Sequence, residues 1–432
     1  MGVLPTRRAT VALLAAYALV AAGALAACGG KSSSSKSSTG SVDDGATITM
    51  WTRAATQTQS QRLVDAYNAG HRNHVKLTVI PTDSYQQKVG AAAGSKQLPD
   101  LFASDVIYAP NYTSKGLYKD ISGRVKALSY YRSLSPGHMR LGTYKGRIYT
   151  VPHTIDMSVL FYNKALYRRA GLDPDKPPAT LKEFADQART INKLGGDVHG
   201  TFFGGDCPGC MVFTMWPSVW AAGGDVMNAG GTRSTIDSSK VVDVLKIYRQ
   251  LYDDGVTAPT TKTEAGPTWT GVFPQGNIGV MPMPSTTLGL MPPGMDVGVA
   301  PIPGPDGGQS TFVGGDVIGV SATSRHAAQA WNFLAWSLSE QTQVEIVARN
   351  HDIVARSDLA SNKYSAADPR VVLSNRLLAK GKTPYSLNFG QTYNDPNGPW
   401  LQVARAALFG PDLNKALHDG AGKLTASLSQ RN

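Results

Sequence analysis

The chain has 432 residues, 42% of them hydrophobic, and carries 42 Lys and Arg against 31 Asp and Glu, a formal charge of +11. The basic residues are scattered and form neither a run nor an aromatic-basic platform, which argues against nucleic acid as a partner. The length exceeds what one hydrophobic core fills and suits two.

Arg7 and Arg8 open a leader in which the residues from Val11 to Ala27 are nearly all Val, Leu, Ala and Gly. A basic start, a short apolar run and small residues before a cut describe a secretory signal over 1–27. The run is short against the ~20 residues that span a bilayer. Thr6-Arg7-Arg8 leaves Sec and Tat export both open. Leu25-Ala26-Ala27-Cys28 resembles the lipobox of bacterial lipoproteins. That resemblance implies a lipidated Cys28 that holds the protein on the extracytoplasmic face of the cell membrane without a spanning helix. The Ser-rich stretch behind it makes 28–41 a flexible tether. With Cys28 lipidated, Cys207 and Cys210 remain of the 3 cysteines, an arithmetic that favours a disulfide in an oxidising compartment.

The mature chain opens with strands and helices in alternation. Thr47 to Trp51 alternates toward a strand, Gln61 to Asn68 places Leu63, Val64 and Tyr67 at helical spacing, and Val75 to Ile80 alternates again. Tyr85, Val89 and Ala92 suit a second helix, and Asp100-Leu101-Phe102-Ala103 a third strand. This order predicts parallel strands joined by crossover helices. Ligands bind outside the carboxyl ends of such strands. Trp51 and Arg53 lie at the first end, Asp83 follows the second, and Ser104 and Asp105 follow the third.

A second unit begins near Asp156. Val159 to Tyr162 is strand-like, and Lys164 to Ala170 reads as a helix stopped by Gly171. Thr180 to Glu183 is a capping box that opens another helix, and a further helix follows Ser239. Short strands are expected at Gly279 to Met281 and Val297 to Ala300. The alternating strand Gly314 to Val320 precedes a helix carrying Ala330, Trp331 and Leu334.

Four stretches together resemble the extracellular solute-binding proteins of family 1, the carbohydrate-binding lipoproteins of ABC importers, in an actinobacterial form. They are Thr47 to Trp51; Leu98-Pro99-Asp100-Leu101-Phe102; Gly146 to Pro152 running into Leu160 to Lys164; and Gly314-Gly315 followed by Ala330 to Leu338. The resemblance implies an α/β, periplasmic-binding-protein-like fold of type II, with two lobes joined by a hinge and a cleft between them. By analogy, lobe 1 takes 42–154 plus 302–345, and lobe 2 takes 155–301 plus 346–432. The implied function is capture of a sugar, an amino sugar included, by a monomer that delivers it to the transmembrane subunits of a permease, with no reaction, cofactor or metal.

A sugar offers hydroxyls and apolar C–H faces, so its site should combine aromatic rings with carboxylates and other directional groups. The candidates are Trp51, Arg53, Asp83, Asp105 and Asp156 in the first half of the chain. Asp206, Trp216, Trp220 and Trp269 follow, then Gly314, Gly315 and Asp316. His351, Asp352, Asn394 and Asp395 are rim candidates. Two other functions compete. Cys207-Pro208-Gly209-Cys210 suggests a thiol–disulfide oxidoreductase, but Asp206 would raise rather than lower a thiol pKa there, and the Gly204-Gly205-Asp206 approach favours a structural disulfide that closes and stiffens a loop near the cleft. A secreted glycosidase would need a pair of carboxylates, and the sequence offers no convincing one. Within the binding class, a glycerophosphodiester is the alternative guest, disfavoured by the number of Asp candidates.

Overall fold

The computed structural model describes residues 40–430; Cys28 and the leader lie outside them. Strand β1 (Thr47–Arg53) buries Ile48 and Met50 and exposes Thr47 and Thr49, the two-residue alternation of a strand with one face on a core. Helix α1 (Gln57–Gly70) buries Ser60, Leu63, Val64 and Tyr67, a stripe at helical spacing. Strand β2 (His74–Ile80), helix α2 (Thr82–Gly94) and strand β3 (Leu101–Asp105) complete the unit. β1 lies between β2 and β3, parallel to both.

The sheet then continues by antiparallel pairing. The strand Val313–Val320 runs beside β3, with Asp316 opposite Asp105. Its other edge meets a long strand, Val151–Asn163, with Gly314 opposite Asp156 and Asp316 opposite Thr154. From Ser158 onward the long strand changes partners and pairs with Val280–Pro284, and from Leu160 also with Val297–Ala300. Twelve of its 13 residues are buried; the exception is Asp156.

Helices cover the two stretches of sheet. Leu63, Val75, Leu101, Ile318, Trp331 and Leu334 belong to one buried cluster. Leu181, Phe184, Trp216, Tyr248, Trp400 and Leu417 belong to another. The helix Leu181–Asn192 starts as its sequence predicts: Thr180 accepts from the Glu183 amide at 3.0 Å. The Glu183 carboxylate reaches back to the Ala179 amide at 2.7 Å, one residue before the usual capping-box partner. Among the described residues no helix is long and apolar enough to cross a membrane.

Gly315 is required at the partner change. Its φ is +98°, and a Cβ there would fall 2.2 Å from the Thr154 carbonyl oxygen. Gly315→Ala should therefore cost at least about 2 kcal/mol through the strained dihedral and the clash, read as a lower urea midpoint at unchanged m-value.

Candidate functional site

The carboxyl ends of β1 and β3, the first residues of the strand Val313–Val320 and Thr154 to Asp156 of the long strand lie at one level of the sheet, and a cavity of about 260 Å³ opens above them. Its floor is a buried ion network. Arg53, the last residue of β1, donates from Nε to Asp316 Oδ1 at 3.0 Å and bonds the same oxygen again through Nη2. Its Nη1 lies 3.2 Å from Asp105 Oδ2. Asp316 is fully buried and also accepts from Thr56 Oγ1 at 2.7 Å and, through its own amide, donates to Thr154 Oγ1 at 3.1 Å. Burial pulls the Arg53 guanidinium down, but attraction to Asp316 and Asp105 outweighs it, and the group stays protonated. Burial raises the Asp105 carboxyl, Arg53 opposes that rise, and Asp316 adds to it. The position of Asp105 is fixed because it caps the turn after β3, accepting from the Ile107 amide at 3.2 Å.

Asp156 forms a second polar wall. Its Oδ1 accepts from the Met157 amide at 2.9 Å, from Ser285 Oγ at 3.2 Å and from Thr286 Oγ1 at 3.3 Å. Burial nevertheless lifts its pKa to about 6, since these bonds offset only part of the desolvation. Gln59, Thr286 and Asn394 add neutral polar groups to the lining.

The remaining walls are aromatic. Phe213, Trp269, Phe312 and Phe389 line the cavity, with the Phe213 ring edge-on to Trp269 at 6.3 Å. Trp269 is 7% exposed, and its Nε1 is buried without a partner among the described residues.

The structure brings Arg53, Asp105, Asp156, Trp269, Gly314 and Gly315 to one cavity. Asp316 stands behind it, as the partner of Arg53. Other candidates are placed elsewhere. Trp51 is two residues short of the end of β1 and packs beside the cluster of Tyr85, Phe102 and Tyr118, with Lys88 Nζ 5.6 Å from its ring centroid. Asp83 falls in the first turn of α2 rather than in a strand-end loop. Asp206 pairs with Arg405 at 2.8 Å, away from the cavity.

Trp216 and Trp220 are core residues. The helix Pro208–Ala221 is apolar on nearly every side, so spacing alone does not identify its inner face. Trp216 packs edge-on against Phe389, Tyr393 and Trp400, and Trp220 donates from Nε1 to Asp225 at 3.0 Å. The same helix reaches the cavity through Gly209, Val212 and Phe213 in its first turns. Of the rim candidates, Asn394 lines the cavity, while Asp352 pairs with Arg62 at 3.0 Å. A disulfide joins Cys207 and Cys210, and Cys207 is the N-cap of that helix, not a loop residue as its Gly-rich approach suggested.

Thr56, Gln59, Phe213, Thr286, Phe312 and Phe389 were not anticipated. Thr56 and Gln59 follow the end of β1 directly, where polar residues at the entry to α1 were the available signal. Thr286 follows the end of the strand Val280–Pro284 in the same way. Among the described residues no group of three or more His, Cys, Asp or Glu gathers for a metal.

The bacterial extracellular solute-binding protein family model matches residues 53–344. The chain is similar to a putative binding protein of Brucella abortus, 26% identical over 364 residues, covering 82% of this chain and 86% of that one. It is also similar to the diacetylchitobiose binding protein DasA of Streptomyces coelicolor, 24% identical over 401 residues, covering 90% and 91%. Among solved structures, an ABC transporter solute-binding protein of Thermotoga lettingae, bound with α-D-tagatose, superposes with a TM-score of 0.78 at 20% identity, covering 89% of this chain and 100% of that one. This likeness establishes the two-lobed α/β fold of periplasmic solute-binding proteins. Members of the solute-binding family bind their solutes and leave them unchanged. The sheet order, the cavity at the strand ends and the match over most of the chain together place this protein in the bacterial extracellular solute-binding protein family.

Proposed function

We propose that this protein captures a neutral or amine-bearing sugar and delivers it to an ABC permease. The observation that carries this reading is the composition of the cavity. Two carboxylates, Asp105 and Asp156, share its lining with the rings of Phe213, Trp269, Phe312 and Phe389. Carboxylates accept strongly from hydroxyl and ammonium donors, and the rings cover C–H faces. A volume of about 260 Å³, just under the ~300 Å³ where small-molecule sites begin, suits a guest of one or two sugar rings. The sugar ligands of DasA and of the Thermotoga protein support the same class, and DasA's diacetylchitobiose makes an N-acetylated amino sugar the first to try.

Charge argues against a glycerophosphodiester or other phosphorylated guest. Arg53 is the only Lys or Arg lining the cavity among the described residues, and Asp316 and Asp105 already neutralise it. A phosphate would meet Asp156 and Asp105 without a free cation to offset them.

The domain reading goes with this function. Lobe 1 comprises 42–154 plus 302–345 and lobe 2 comprises 155–301 plus 346–432, and they close on the guest. Lipidation at Cys28 anchors the protein on the extracytoplasmic face, where the 28–41 tether raises its effective concentration at the permease.

A thermal-shift panel of diacetylchitobiose, glucosamine, maltose, tagatose and glycerol-3-phosphate tests the class. A sugar at 100 times its Kd should add about 2.7 kcal/mol. Stabilisation by glycerol-3-phosphate alone would reject the sugar reading. On the sugar that binds, Trp269→Phe keeps an aromatic wall and should bind nearly as wild type does, whereas Trp269→Ala removes the wall and should weaken affinity about ten-fold; equal affinity in Trp269→Ala and wild type would show that the wall is unused.

A further inference from the structure

The disulfide is built into the cavity wall. Cys207 caps the helix Pro208–Ala221, its Sγ accepting from the Cys210 amide at 3.1 Å, and Gly209 between the two cysteines lines the cavity. Cys207 is partly exposed, whereas Cys210 is 5% exposed. On its other side the bridge is flanked by glycines, where any side chain would crowd it. A Cβ at Gly266 would sit 3.2 Å from Cys207 Sγ, and one at Gly204 would sit 3.3 Å from Cys210 Sγ. The Gly266 carbonyl in turn accepts from the Trp269 amide at 3.3 Å, so the bridge backs onto the turn that carries Trp269.

We propose that Cys207–Cys210 is a thiol–disulfide exchange site whose redox state sets the shape of the ligand cavity. The reductant is an extracytoplasmic dithiol. Its thiolate attacks the accessible Cys207 Sγ, the bond between the two cysteines breaks, and the Cys210 sulfur leaves and takes a proton. The second thiol of the reductant then attacks its own sulfur in the mixed disulfide, closing the reductant's disulfide and releasing the Cys207 sulfur. Two electrons and two protons pass to the cysteine pair.

Two features favour the exchange. The helix N-terminus stabilises a thiolate at Cys207. Asp206, whose charge would oppose that thiolate, is paired with Arg405 at 2.8 Å. Reduction alters the cavity because two unbonded sulfurs need more separation than a bonded pair. The adjustment falls on the segment through Gly209 and on the neighbouring Gly266–Trp269 turn, and Gly209 and Trp269 both line the cavity.

The test compares the oxidised full chain with the same protein reduced by dithiothreitol under native conditions. Peptide mapping after alkylation should find Cys207 and Cys210 both trapped, Cys207 first. The Trp269 emission, isolated as the difference between wild type and Trp269→Phe, should change on reduction, and the Cys207→Ser/Cys210→Ser variant should not respond to dithiothreitol. Absence of trapped thiols from the folded protein, or a Trp269 emission identical in both states, would overturn the proposal. This arm needs no guest, so it stands or falls apart from the sugar reading. The second arm rests on that reading: affinity for diacetylchitobiose should fall at least ten-fold in the reduced protein. A protein that binds it equally well in both states has no redox control of its cavity, and an oxidised protein that does not bind it counts against the sugar assignment instead.

Discussion

Asp156→Asn is expected to weaken sugar binding by roughly 10- to 150-fold at pH 7.5, the equivalent of about 1.5–3 kcal/mol for a hydrogen bond to a charged group, while making the empty protein more stable. Both effects follow from placing a carboxylate in the middle of a buried strand. Its pKa stands at about 6 in the folded chain, above the ordinary 3.8, because burial disfavours the charge more than Met157, Ser285 and Thr286 favour it. Folding thus favours the protonated acid. The stabilisation it gives is fully present below pH 3.8 and is lost as pH rises through about 6. Above that the ionised group is a penalty of less than about 3 kcal/mol, reduced further by its partial exposure. An amide carries no such penalty, so the melting temperature of the empty variant should exceed that of wild type at pH 7.5. A sugar hydroxyl or ammonium needs the carboxylate. For a neutral sugar, wild-type affinity should therefore be flat above pH 7 and fall as pH drops below about 6. Calorimetric titrations from pH 5 to pH 8 check this. Any pH dependence that survives in the variant reports Asp105, the other titratable acid facing the cavity. If Asp156→Asn binds as tightly as wild type, Asp156 is not a ligand contact.

Arg53→Met should destabilise the protein by about 3–5 kcal/mol, the cost of breaking a buried ion pair from one side. Asp316 is fully buried and would keep only Thr56 as a side-chain partner. Replacing both members, as Arg53→Met with Asp316→Leu, should recover most of the stability. Urea denaturation of the three proteins separates these outcomes. A single variant within 1 kcal/mol of wild type would mean that the network contributes little.

The first half of the site was legible because parallel strands expose their ends in a fixed way. Buried alternation locates β1, a short apolar run locates β3, and the topology brings Arg53 and Asp105 to the same edge. Asp156 was legible for a related reason, since an acid heading a long apolar run has few places to go. Trp269 stood out because its surroundings have no apolar period. The rest depended on information that local pattern does not contain. The helix carrying Trp216 and Trp220 is buried on nearly all sides, so the choice of which turns face the cavity is made by tertiary packing against Phe389, Tyr393 and Trp400. Phe312 and Thr286 arrive at the site only through long-range pairing with the strand Val151–Asn163, by way of Ser158 and Asp156. The helix cap at Cys207 was hidden because Gly and Pro around it read as loop, whereas Pro is favoured in the first helical turn.

The long strand exchanges its partners at Asp156 to Ser158 without an interruption in its own backbone. Such a member can carry twist from one stretch of sheet into the other. Its ladder with Val313–Val320 is broken by a bulge between Pro152 and Thr154. Thr154, Ile155 and Asp156 line the cavity just past that bulge. On the sugar reading, a guest held there should be felt as a change of twist in the strand itself.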